Sequence, residues 1–194
     1  AIVFSELTYL GPAGGPYLVF TGPDGLVLVD QHAAHERILF EKLREKSDRS
    51  GVGQHLLMPE VLTLTPGECK TILACLPLLD DMGLHLEPFG ENTIIVKTIP
   101  ALLPDLDPAG LIRDLLDQAD TDTPTCLDTK KDHLLAVMAC RGAVKAHHDL
   151  SPAEAGALCR EMDRTPFAAT CPHGRPTYVL ISKRDLERMF KRQS

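Results

Sequence analysis

Leu26-Val27-Leu28-Val29, running directly into Asp30-Gln31-His32-Ala33-Ala34-His35-Glu36, is the stretch that sets the architecture of this chain. The apolar quartet follows a Pro23-Asp24-Gly25 turn and has no polar break, the signature of a buried strand. From Gln31 to Lys46 the apolar positions change period: Ala34, Ile38 and Leu43 recur at roughly helical spacing. A strand that hands over to a helix without a loop places Asp30–Glu36 at a strand's carboxyl end, where α/β proteins form ligand sites. His32 and Glu36 are four residues apart, so on a helix they share a face and can reach one metal ion. Asp30 stands at the helix start, with its carboxylate free to point into the same crevice. A histidine so placed is, taken alone, more often a solvated or capping residue.

Outward from this stretch the two periodicities continue to mix. Ala1–Thr8 and Tyr17–Thr21 read as strands around the Gly/Pro-rich Gly11–Pro16. After a polar break at Ser47–Gly53, Leu56–Leu64 reads as extended. Thr65-Pro66-Gly67-Glu68 opens a helix with a capping box and is expected to run to about Met82. Leu84–Pro88 and Thr93–Ile99 form a strand pair, Pro108–Gln118 a short helix, and Ala119–Thr125 a polar loop. A long helix is expected from Asp128 to about His147, and Ser151-Pro152-Ala153-Glu154 caps another. The Pro/Gly-rich Thr165–Pro176 leads into a strand, Thr177–Ile181, and Lys183–Lys191 closes as a helix. The fold class is therefore α/β in the broad sense, a mixed α+β chain. A two-lobe division fits: residues 1–46 with 133–194, and an insertion over 47–132.

Composition narrows the field. With 194 residues and 44% apolar content the chain can build an ordinary core without disulfides, since a chain of this size buries roughly 70% of its unfolded surface. No apolar run approaches the roughly 18 residues of a membrane span, and the start has no charged region or cleavage site of a signal peptide. A cytoplasmic protein with no membrane partner is expected. Twenty Lys and Arg against 27 Asp and Glu give a net charge of −7, which disfavours avid nonspecific binding to nucleic acid. Six cysteines in such a chain are expected to be reduced. Cys69, Cys75, Cys126 and Cys159 read as small buried hydrophobes.

The other two differ. In Cys171-Pro172-His173-Gly174-Arg175-Pro176, Cys and His two positions apart can turn toward one borderline ion, while the prolines stiffen the loop and Gly174 permits a sharp turn. Arg175 offers a fork suited to a phosphate oxygen. A tight turn with an incidental thiol is the plain alternative. Cys140, in Ala139-Cys140-Arg141, again has an arginine neighbour, which favours the metal-binding thiolate. Spacing alone cannot show that the three segments converge.

In this order, DQHAAHERILFE, ACR, CPHGRP and the terminal FKR resemble the motif set of the endonuclease-active MutL family of DNA mismatch repair proteins. The first motif falls on Asp30, Gln31, His32, Ala33, Glu36 and Glu41, and the second on Ala139, Cys140 and Arg141. The third falls on Cys171, His173, Gly174, Arg175 and Pro176, and the last on Phe190 and Arg192. The resemblance implies that His32, Glu36, Cys140, Cys171 and His173 bind metal and that Asp30 is needed for cutting. It also implies zinc, with manganese or magnesium for activity, and a homodimerisation lobe built from both chain ends with an external, regulatory lobe between them. The implied partners are DNA, held weakly by this domain alone, a sliding clamp and, through the full-length protein, the mismatch-recognition protein MutS. A nucleoid-associated place in the cytoplasm would follow. Gln54-His55-Leu56-Leu57-Met58-Pro59 resembles the Gln-x-Leu-x-x-Pro clamp-contacting motif, with Gln54, Leu56 and Pro59 as its fixed positions. A strand entry packed into the inserted lobe is the alternative.

On this reading Cys140, Cys171, His173 and His32 suit zinc, while Glu36 and Asp30 face a harder ion, with Glu36 able to bridge. Arg175 or Arg141 would steady a phosphate or a ligand, with Glu41 and Arg192 in support. The rival from another class is a structural zinc module that dimerises and engages a clamp without cutting. A different zinc hydrolase is disfavoured, because the chain has no His-Glu-x-x-His and no Pro-Cys-x-x-Cys. No Walker-type phosphate loop is present, so any nucleotide-using part is expected elsewhere.

Overall fold

The computed structural model describes residues 2–47, 52–119, 130–143 and 150–192. Cys126, the 120–125 part of the expected polar loop, and the outer ends of the expected 128–147 helix lie outside these residues. The chain divides into two compact units, Ala1–Leu39 with Ala143–Ser194, and Phe40–Gly142.

The first unit is built on an antiparallel sheet, β1 (Thr8–Pro12), β2 (Tyr17–Gly22), β3 (Gly25–Asp30) and β7 (Tyr178–Ser182), in the order β1-β2-β3-β7. Alternation decides its faces. Leu18, Phe20, Val27 and Val29 are buried against Ala34 and Ile38 of helix α1 (Gln31–Ser47) and Ala155, Leu158, Cys159 and Met162 of α6 (Pro152–Arg164). The register pairs Val19 with Leu28, Leu28 with Val179 and Leu26 with Ile181, so these five share the opposite face. Helix α6 starts as its sequence dictates: Ser151 and Glu154 form a reciprocal capping box behind Pro152. Helix α7 (Lys183–Met189) follows β7 directly.

The expected strand over Ala1–Thr8 is not formed. Phe4–Glu6 is instead a turn of 3₁₀ helix, and β1 begins at Thr8. The cause is remote in sequence. Asp163 on α6 accepts the N–H groups of Phe4 (2.7 Å) and Ser5 (2.9 Å), and the Phe4 ring is buried, 5.1 Å edge-on to Tyr178.

The second unit holds a three-stranded antiparallel sheet ordered β4 (Gly53–Thr63), β6 (Thr93–Pro100) and β5 (Leu86–Pro88). The Thr65–Glu68 capping box is present, but the expected helix to Met82 is split into α2 (Pro66–Leu73) and α3 (Leu76–Asp81). Pro77 accounts for the break: it brings no N–H and fits a first turn, so the chain restarts there. Helices α4 (Pro108–Ala119) and α5 (Lys130–Ala143) bury Leu111, Ile112, Leu135 and Met138. Among the described residues no helix is long and apolar enough to cross a membrane.

Candidate metal centre

Strand pairing assembles the site. Because β3 and β7 run antiparallel, the end of β3 lies beside the start of β7, and the Asp30 N–H donates to the Thr177 carbonyl at 2.8 Å. The first turns of α1 and the loop before β7 are thereby brought to one end of the sheet, although they are more than a hundred residues apart in sequence.

The loop holds its own shape. The Cys171 N–H donates to the Arg175 carbonyl (2.8 Å) and the Gly174 N–H to the Cys171 carbonyl (2.9 Å). Gly174 has φ of 81°, which a residue with a Cβ adopts only under strain. A bridge between Thr170 and Pro176 closes the loop's base, and the Thr177 hydroxyl donates to the Ala168 carbonyl. Upstream, Phe167 is exposed and in the left-handed region at φ 55°, its carbonyl accepting from the Thr170 N–H at 3.1 Å.

Three side chains converge at this point. Ligand atoms of Glu36, Cys171 and His173 all lie within 4.8 Å of one another. Glu36 is only 4% exposed and Cys171 1%, and a carboxylate so enclosed is rare unless it is paired. His173 Nδ1 stands 2.7 Å from Glu36 Oε1, an ion-pair contact with that enclosed carboxylate. Burial pulls the Cys171 thiol up, yet the His173 side chain and the backbone N–H groups of Arg175 and His173 outweigh it and leave the thiol below its ordinary value. The Cys171 sulfur, and then the Glu36 carboxylate, push His173 up to about 9. Together they are a buried acid, a thiol held below its ordinary value and an imidazole, a donor set that could hold a cation. Sulfur, nitrogen and oxygen together suit zinc or a similar borderline ion.

The remaining expected site residues have different surroundings. Asp30 is not free as the sequence suggested: its Oδ1 accepts the N–H groups of His32 and Ala33, both at 3.0 Å, making it the N-cap of α1. His32 is half-buried one turn before Glu36, outside the 4.8 Å cluster. Arg175 is exposed, and so is Arg192, which follows α7 with its N–H on the Glu187 carbonyl (2.9 Å).

Cys140 and Arg141 belong to the second unit, on α5. Arg141 has partners of its own: its guanidinium donates to both carboxylate oxygens of Asp114 and, at 3.1 Å, to the Gly110 carbonyl, so it ties α5 to α4. A Cβ at Gly110 would crowd Asp107 Oδ2 and stand 2.7 Å from Arg141 Nη1, so those side-chain ends would have to shift. Glu41, also in that unit, is buried and pairs with Arg44 at 2.7 Å. On β4 the ladder is interrupted between His55 and Glu60, leaving Gln54 and Pro59 exposed and Leu56 half-buried. The fully outward side chains are Leu57 and Met58.

One residue beside the cluster escaped the sequence reading. Arg37 donates from Nε to the Thr170 carbonyl at 2.6 Å. A partner that is a backbone oxygen 133 positions away leaves no local trace.

The family model described as the MutL C terminal dimerisation domain matches residues 10–150, which include Asp30, Glu36 and Cys140 and stop short of Cys171. The chain is 48% identical over 193 residues to the DNA mismatch repair protein MutL of Syntrophus aciditrophicus, covering 98% of this chain and 31% of that protein. It is 44% identical over 185 residues to MutL of Rhizorhabdus wittichii, covering 94% and 31%. With MutL of Rhizobium etli the identity is 43% over 178 residues, covering 91% and 29%. The chain thus spans about a third of the length of these relatives. It belongs to the family of MutL C-terminal dimerisation domains.

Proposed function

We propose that this chain is the nuclease and homodimerisation domain of a MutL-type mismatch repair protein, nicking DNA in a metal-dependent reaction. The convergence of Glu36, Cys171 and His173 carries the reading, because it gathers a buried acid, a thiol and an imidazole within 4.8 Å of one another, a donor set suited to a shared cation. Zinc would be held by Cys171 and His173, with His32 as a further ligand. Manganese or magnesium would be held by Glu36 with Asp30. Divalent ions there supply charge neutralisation for a phosphodiester and lower the pKa of water. The protein's own part is to fix the donors: the loop keeps Cys171 toward thiolate, and the cap keeps Asp30 at the mouth of α1. The test is nicking of supercoiled plasmid with manganese by the wild-type chain and by Glu36→Gln. Equal nicking by the two would remove Glu36, and the cluster with it, from the reaction.

Homodimerisation is supported by the sheet of the first unit. An antiparallel sheet with one face in water places polar residues there. Here that face carries Val19, Leu26, Leu28, Val179 and Ile181, with Val179 51% exposed. Such a surface is suited to a second copy about a two-fold axis. The exposed Gln54–Pro59 segment on β4 suits capture by a sliding clamp, as an extended peptide in a groove. Contacts with MutS and a cytoplasmic, nucleoid-associated place belong to the same reading of the whole protein.

A second reading has its own support. Asp30, the residue assigned to cutting, spends Oδ1 on capping α1. A zinc-bearing dimerisation and clamp-binding module that does not cut would need Asp30 for that cap alone. Metal bound without nicking would select it.

A further inference from the structure

Glu36 and Arg37 are consecutive on α1, and both reach the Thr165–Pro176 loop. Glu36 meets His173 at 2.7 Å, and Arg37 donates from Nε to the carbonyl of Thr170, the residue before Cys171, at 2.6 Å. The loop's other named restraints act elsewhere. Bonds among Cys171, Gly174 and Arg175 set its curvature, and the Thr170–Pro176 bridge closes its base. Thr177 hangs its far end on Asp30. None of these fixes the gap between the loop and the face of α1 that carries Glu36. The Arg37 bond spans that gap, one residue from Glu36 on the helix side and one residue from Cys171 on the loop side.

We propose that Arg37 is a positioning residue for the metal centre: its bond to the Thr170 carbonyl holds Cys171 and His173 at ligating distance from Glu36 before an ion arrives. The inference rests on the metal-binding reading of that cluster. The physical argument is preorganisation. Three donors on two separate segments must otherwise be gathered at the moment of binding, and that ordering cost is subtracted from affinity. Arginine suits the task because its Nε–H is fixed in the guanidinium plane and stays protonated, giving a directional, charge-assisted bond to a neutral carbonyl.

The test substitutes Arg37→Met, which keeps a long apolar stem and removes the donor. Cobalt(II) is titrated into metal-free chain and the thiolate-to-cobalt absorption is followed, with Cys171→Ser identifying the band that belongs to this cluster. The urea midpoint of the metal-free chain is measured in parallel. Weaker cobalt binding by about tenfold or more in Arg37→Met, at an unchanged midpoint, is expected, since losing a group that orients a ligand typically costs that much. Wild-type affinity and band shape in Arg37→Met would overturn the inference, and so would weakened binding that merely tracks a lowered midpoint. Absence of a Cys171-dependent band in the wild-type chain would remove the metal reading itself, and this inference with it.

Discussion

Asp30 has two separable duties, and two substitutions tell them apart. Its Oδ1 accepts the N–H groups of His32 and Ala33 at 3.0 Å each, the second and third residues of α1. Asparagine caps a helix about as well as aspartate, whereas alanine at such a position costs about 1 kcal/mol. The negative charge at the helix N-terminus adds about 0.3–1 kcal/mol that either substitution loses. Asp30→Asn should therefore cost about 0.5 kcal/mol and Asp30→Ala about 1.5 kcal/mol. For a chain of 194 residues the alanine variant should melt about 3–6 °C lower and the asparagine variant within about 2 °C of wild type. If the carboxylate also serves the cut, both variants lose manganese-dependent nicking by about a hundredfold or more, the scale of a missing acid–base group. Thermal unfolding and plasmid nicking, measured on the same preparations, give both numbers. Full nicking by Asp30→Asn would refute the catalytic duty, and equal destabilisation by Asn and Ala would refute the capping one.

Three further outcomes are expected. Cys171→Ser should lower zinc content and affinity by more than the about 10–100-fold typical of a group that only supports a ligand, as read by elemental analysis and competition with a chelator. Leu28→Lys, on the apolar sheet face, should turn a dimer into a monomer in analytical ultracentrifugation. Two-fold symmetry counts the loss twice, so about 2 kcal/mol per copy raises the dissociation constant about a thousandfold. Asp163 titrates below the usual carboxylate range: burial pulls it up, but the Ser5 hydroxyl and the N–H groups of Ser5 and Phe4 outweigh that. A depressed acid contributes stability that is present above its unfolded value, about 3.9, and lost as pH falls through the lower folded value. The stability gap between wild type and Asp163→Asn should accordingly be largest near neutral pH and shrink below about pH 4, measured by urea unfolding across pH.

What the sequence made legible was local chemistry. Both capping boxes, at Thr65–Glu68 and Ser151–Glu154, form as their spacing requires, and strands β2 and β3 follow their turns. What it hid was chemistry with distant partners. Ile2–Leu7 has the apolar content of a strand, yet an acid on α6 draws Phe4 and Ser5 into a 3₁₀ turn. Arg141 reads as a group that could steady a phosphate or a ligand, and only the fold reveals that Asp114 and Gly110 are its partners. The Leu76-Pro77 step was readable but outweighed by the apolar periodicity around it. Within the site, Cys171 and His173 announced themselves through the stiff loop between two prolines, and Glu36 through its helical spacing from His32. Nothing in the chain announced that Glu36 would lie within 4.8 Å of the loop's donors while His32 stands outside that cluster.

The two proposed duties share one piece of structure, which bears on how any single variant is read. Leu28 and Val179 are cross-strand partners on the apolar face, Val29 and Tyr178 are the next rung on the core side, and beyond them the Thr177 carbonyl receives the Asp30 N–H. The ladder that would present the dimer surface is thus the same ladder that hangs the Cys171–His173 loop against α1. Loss of the second copy frees β7 on one face only, since Val27 and Val29 remain buried in the core. Metal binding at the far end of the ladder should then survive in a Leu28→Lys monomer. A monomer that also loses its zinc would mean that the ladder, and not the side chains of the loop alone, holds the donors in place.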